Sequence, residues 1–125
     1  MSWSLWSVLV AGLLPYLGTA IAKWGFKSFD NNNPRVWLAN QTGFRARANA
    51  SQSNSFESFP FFAAGVIVAT IQSANSAQMD MLASIYIASR VAYIVSYVAN
   101  WAGLRSLFWL FGMISSVALF VISAH

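Results

Sequence analysis

Cysteine is absent from this 125-residue chain, histidine occurs once, and acidic side chains number only three. Without cysteine there are no disulfides, no thiolate metal sites and no cysteine nucleophile. The single histidine, His125, is the last residue, where chain ends are usually poorly ordered. No metal site is therefore expected. Charged residues of either sign make up 8% of the chain, against about 25% in soluble proteins. A domain this small has too much surface for so few polar groups to cover. An ordinary water-soluble domain is excluded, and the hydrophobic share of 58% points to lipid as the solvent. The length allows one domain, residues 1–125.

What charge there is has a net value of +4 and is concentrated. Five of the seven basic residues (Lys23, Lys27, Arg35, Arg45, Arg47) fall in one connection between apolar stretches. No stacking motif or nucleic-acid fold signature accompanies them, so no nucleic-acid partner is expected. The distribution is instead the positive-inside pattern of a membrane protein.

Four apolar stretches follow one another. The first, residues 3–24, is too long for a signal h-region and lacks a basic n-region, so a retained helix is expected. Pro15 is expected to kink it, which neighbouring helices tolerate in a membrane. Asn33 and Pro34 read as an N-cap followed by a first-turn proline. A second helix is expected from there to about Ser73, with a break at Gly43 and its membrane part over residues 50–73. The remaining spans are 79–101 and 104–124, with SANSAQMD and NWAG as the links. These readings give an all-α, integral membrane four-helix bundle. Its basic first loop is expected in the cytoplasm and both termini outside. The N-x-S/T triplets at Asn40 and Asn49 are then chance occurrences on the cytoplasmic side.

The polar residues inside the spans are few and spaced on helical faces. Asn54 and Glu57 lie three residues apart and share a face, and Arg47 precedes Asn54 by about two turns. Arg90, Tyr93 and Tyr97 form one stripe, and Arg105 and Ser106 open the fourth helix at the same level. Ionisable groups within a membrane are costly, so they pair or line a wet cavity. Two readings are open on these grounds. Glu57 and Arg90 form a structural ion pair, or the whole set lines a pocket for a small zwitterion carrying carboxylates, an amine and amides.

The run RANASQSNSFESFPFF from Arg47, the segment RVAYIVSY at 90–97 and LRS at 104–106 resemble signatures of the MAPEG family, membrane-associated proteins of eicosanoid and glutathione metabolism. DNNNPR looks most like its bacterial branches, which implies a bacterial inner membrane. The resemblance implies a homotrimer that binds glutathione, as co-substrate, between subunits near the cytoplasmic face. By the same resemblance Asn54, Glu57, Arg90, Tyr93 and Tyr97 match glutathione-contacting positions, Arg105 matches a thiol-activating arginine, and Ser106 an adjacent polar position. Glu57 would meet the γ-glutamyl ammonium, and the arginines would hold carboxylates. Many eukaryotic members carry an arginine where this chain has Ala50, and Arg47, one turn lower, is the candidate to supply that charge.

The function implied is a glutathione-dependent transferase or peroxidase acting on small hydrophobic electrophiles or lipid hydroperoxides in contact with membrane lipids. A non-catalytic subunit of a larger membrane complex is the alternative. A small proton-coupled exporter is disfavoured, because its membrane glutamate would be expected in the first span, which has no acid.

Overall fold

The computed structural model describes residues 1–25 and 29–124; Lys27 and His125, both named above, lie outside the described residues. A bilayer offers no hydrogen-bond partner to an open backbone, so apolar runs of this length close their amides within helices. Among the described residues five helices result: α1 (Trp3–Lys23), α2 (Pro34–Ala39), α3 (Gly43–Ile71), α4 (Ser76–Val98) and α5 (Ala102–Ser123). Four of them, all but α2, are long and apolar enough to cross a membrane. The fold is all-α, a bundle of four membrane-spanning helices.

At 1.5 Å per residue, α1 is about 31 Å long, close to the roughly 30 Å hydrocarbon layer. The 29 residues of α3 reach about 43 Å. Its first turns, which carry Arg45 and Arg47, therefore project past the apolar slab at the end of the bundle that bears the 24–42 connection. Arg35, Arg45 and Arg47 make it the basic end of the bundle.

The helix opened by Pro34 stops at Ala39, and Gly43, with φ at +62°, separates it from α3. That conformation is open to glycine and disfavoured for other residues. Asn33 occupies the N-cap position, but its amide donates backwards to Asp30 Oδ2 at 3.2 Å and not to α2. Pro15 is buried inside α1 and does not end the helix. α4 begins at Ser76, earlier than the expected residue 79, because Asn75 Oδ1 accepts from the Gln78 amide at 3.0 Å and caps it. α4 also ends at Val98, short of the expected residue 101. Asn100, at φ +64°, reverses the chain there, and the amides of Asn100 and Trp101 bond Tyr97 O at 3.1 Å and Ser96 O at 2.8 Å. This is the Schellman arrangement, with asparagine in the left-handed position.

α1 packs chiefly on α3, and α4 on α5, while α3 also touches α4 and α5. Ala11, Phe62, Val66, Ala69, Met79, Ala83, Tyr86 and Leu119 form the buried apolar core. Small residues allow the close approach. A Cβ on Gly18 would stand 3.0 Å from Ala48 O, and one on Gly65 3.2 Å from Leu119 Cβ. At the end opposite the basic one, Asp80 Oδ1 accepts from the Ser4 amide at 3.0 Å, and Trp3 Nε1 donates to Ser84 Oγ at 2.8 Å. A smaller cluster of Ala22, Leu38 and Ala48, with Val98 against it, closes the basic end.

Candidate functional site

Arg90 lies in α4 where that helix meets α3, and only 2% of it is exposed. Its Nη2 donates to Asn54 Oδ1 at 2.8 Å and to Ser55 Oγ at 3.2 Å. The guanidinium lies over the Tyr93 ring, 4.2 Å from its centroid. Nε is buried with no hydrogen-bond partner. Room for the side chain comes from Gly112 of α5, where a Cβ would come within 3.4 Å of Arg90 Cδ. A full charge held only by neutral partners is expensive in a low-dielectric interior.

The aromatic stripe continues from this arginine toward the basic end. Tyr93 and Tyr97 meet edge to face at 5.7 Å, and Arg105 of α5 sits 4.6 Å over the Tyr97 ring. Cation, ring, ring and cation thus alternate across the α4–α5 seam. Tyr93, Tyr97, Arg105, Ser106 and Trp109 line a cleft of about 270 Å³ there. Neither Arg90 nor Arg105 bonds a carboxylate among the described residues, so the two positive charges that flank the cleft have no carboxylate in direct contact.

The ion pair between Glu57 and Arg90 does not form. Asn54 faces α4 and takes the guanidinium, whereas Glu57 is rotated about 60° round the helix and is exposed on α3. The residues expected to act together fall into linked groups. Asn54 and Arg90 form a part-buried pair. Tyr93, Tyr97, Arg105 and Ser106 share the cleft, and Tyr93 joins the two groups. Arg47 is not among the cleft residues; its Nε donates to Val98 O, the last carbonyl of α4, at 3.1 Å.

Four contributors are absent from the sequence reading. Ser55 is the second acceptor for Arg90. Ser58 Oγ and the Tyr86 hydroxyl share a 2.8 Å hydrogen bond, and Tyr86 stacks flat on Phe62 at 3.8 Å. Trp109 forms the apolar wall of the cleft. Its i+4 spacing from Arg105 was the available signal. The serines are visible as residues, but their partners are set only by packing.

The MAPEG family model matches residues 3–125, essentially the full length. No individually curated protein matches the chain at a significant level.

Proposed function

The chain belongs to the MAPEG family, and from that premise we propose that it is a membrane-bound glutathione-dependent transferase or peroxidase for hydrophobic electrophiles or lipid hydroperoxides. The observation that carries this reading is the pair of arginines, Arg90 and Arg105, flanking a polar cleft without a carboxylate partner. A buried charge without a counter-ion is costly to the fold, and an anionic ligand offsets that cost when it binds.

Each side chain has a definable task. Arg90 takes the Oδ1 of Asn54, which leaves the Asn54 amide N–H groups to donate to a ligand carboxylate. Glu57, exposed on α3, accepts from the γ-glutamyl ammonium. Tyr93, Tyr97 and Ser106 offer hydroxyls, and Arg105 stands beside the sulfur, where a guanidinium favours thiolate over thiol. For a transferase step the thiolate attacks an electrophilic carbon, a C–S bond forms, and the displaced group leaves with the electron pair. For a hydroperoxide the sulfur attacks the distal oxygen. The alcohol departs, and a second glutathione converts the sulfenic acid to disulfide and water. Trp109 and the apolar surface around it present the lipid-soluble partner.

In this reading the basic end faces the cytoplasm, as the positive-inside rule requires, and the protein works as a homotrimer. Exposure of Glu57 on a membrane helix supports that assembly, since a neighbouring subunit shields an ionised side chain from lipid. A second reading, a non-catalytic subunit of a larger membrane complex, is favoured by Arg47. Its bond to Val98 O turns it toward the helix end, away from the gap left at Ala50.

Glutathione titration of the purified protein, followed by thiolate absorbance in the near ultraviolet, decides between the two. A stoichiometric thiolate signal is expected, and it should vanish in Arg105→Ala while the oligomer persists. A signal that survives the substitution removes Arg105 from the role. No binding at millimolar glutathione, together with a partner that co-purifies in mild detergent, replaces the enzyme reading by the second one.

A further inference from the structure

We infer that Arg47 is a positioning residue, which holds the corner between α4 and α5 and through it the spacing of Tyr97 and Arg105. The role of that spacing in thiol activation rests on the proposed function; the hold on the corner does not.

The last carbonyls of a helix have no partner within it. At the end of α4 the amides of Asn100 and Trp101 take the Tyr97 and Ser96 carbonyls. Val98 O is left over, and Arg47 Nε reaches it at 3.1 Å across 51 residues of sequence. A guanidinium at a helix C-terminus is favoured both as a donor and by the helix dipole. Only residues 99–101 link α4 to α5, and the Arg105 amide bonds back to Trp101 O at 2.9 Å. The fixed carbonyl therefore belongs to the neighbour of Tyr97, and the same short corner carries the first turn of α5 with Arg105. A catalytic constellation misplaced by about 1 Å can lose about a hundredfold in rate, so a hold at this corner acts directly on the cleft.

Arg45 provides the internal control. Two residues earlier on α3, its Nη1 donates to Ala22 O at 2.8 Å near the end of α1. The projecting turns of α3 thus clasp two helix ends, and only one of them leads to the cleft.

The test compares wild type, Arg47→Ala, Arg47→Lys and Arg45→Ala as full-length protein in detergent. Two readouts are taken: amide hydrogen exchange over residues 96–106, and the pH midpoint of glutathione thiolate formation beside the glutathione Kd. Loss of a bond to a charged group corresponds to about tenfold or more. Arg47→Ala should speed exchange at Asn100 and Trp101 by about that factor. It should raise the thiolate midpoint by about one pH unit, with Kd changed by less than about threefold. Arg47→Lys keeps the charge on a flexible stem and should give intermediate values in both. It carries the test alone if Arg47→Ala does not fold. Arg45→Ala should leave both readouts at wild-type values.

Unaltered exchange at the corner in the Arg47 variants overturns the inference. So does a fall in affinity at an unchanged thiolate midpoint, which makes Arg47 a ligand contact. If the wild type forms no thiolate, the glutathione reading falls. Exchange at the corner then decides alone whether Arg47 holds it.

Discussion

Asn54→Asp is the sharpest probe of the Asn54–Arg90 pair, because it changes one atom type and reverses two outcomes. The substitution puts a carboxylate oxygen where the amide oxygen now sits, 2.8 Å from Arg90 Nη2. Two unit charges about 4 Å apart attract by roughly 4 kcal/mol at an effective dielectric of 20. Desolvating the new carboxylate opposes this by several kcal/mol when burial is complete, and by less here, since Asn54 is only partly buried. The net effect on the fold is a gain on the order of 1 kcal/mol. The ligand site suffers the opposite effect. Arg90 acquires an internal counter-ion, the outward amide donor is lost, and a carboxylate now faces the incoming anion. Losing one charge-assisted bond of about 1.5–3 kcal/mol lowers affinity by roughly 10–150-fold. Equilibrium unfolding in mixed micelles with increasing denaturing detergent reads the first quantity, and glutathione titration reads the second. A destabilised variant that binds glutathione as tightly as wild type would refute the reasoning. Arg90 would then already be compensated, and its charge would not belong to the ligand site.

Other consequences follow from packing. Phe62→Ala removes a fully buried ring stacked at 3.8 Å on Tyr86 and should cost about 3–5 kcal/mol in the same unfolding assay; a loss under about 1 kcal/mol would mean that the site collapses freely. Gly18→Leu drives a side chain against Ala48 O, 3.0 Å from the Cβ position, and should cost about 1–3 kcal/mol. Gly12→Ala, with Phe59 at 3.4 Å, should stay within about 0.5 kcal/mol, so equal losses in these two variants would contradict the α1–α3 geometry. Asp80→Ala removes the acceptor for the Ser4 amide at the start of α1 and should cost about 0.5–2 kcal/mol, with faster amide exchange confined to the first turn of α1. Faster exchange throughout the helix would show that the contact does more than cap it.

The membrane helices were legible because their signal is additive: twenty apolar residues in a row specify a helix without reference to any partner. Boundaries were less so. α4 ends where an asparagine adopts a left-handed conformation, which the sequence allows at many places and requires at none. In the candidate site, Arg90, Tyr93, Tyr97 and Arg105 fall on one path because helical spacing alone aligns the first three. Which acceptors Arg90 uses depends on the rotation of α3 against α4, and that rotation puts Asn54 rather than Glu57 opposite the guanidinium. Arg47 shows the same limit. Its position two turns before Asn54 was readable, but the carbonyl it bonds belongs to the end of another helix.

Among the described residues nine buried serines lie within these helices, and a hydropathy scale counts each as a penalty. Six of them, Ser7, Ser51, Ser89, Ser115, Ser116 and Ser123, donate their hydroxyl to a carbonyl of the preceding turn of their own helix. Such a hydroxyl is already satisfied while the helix stands alone in lipid. Each segment therefore enters the bilayer at a lower cost than its composition suggests, and it does so without waiting for its neighbours. Once inserted, these serines behave as small, nearly apolar knobs that let helices approach closely. The order of assembly is then insertion of the separate segments first and docking second, with Arg90 among the polar groups that find their acceptors only in the second stage.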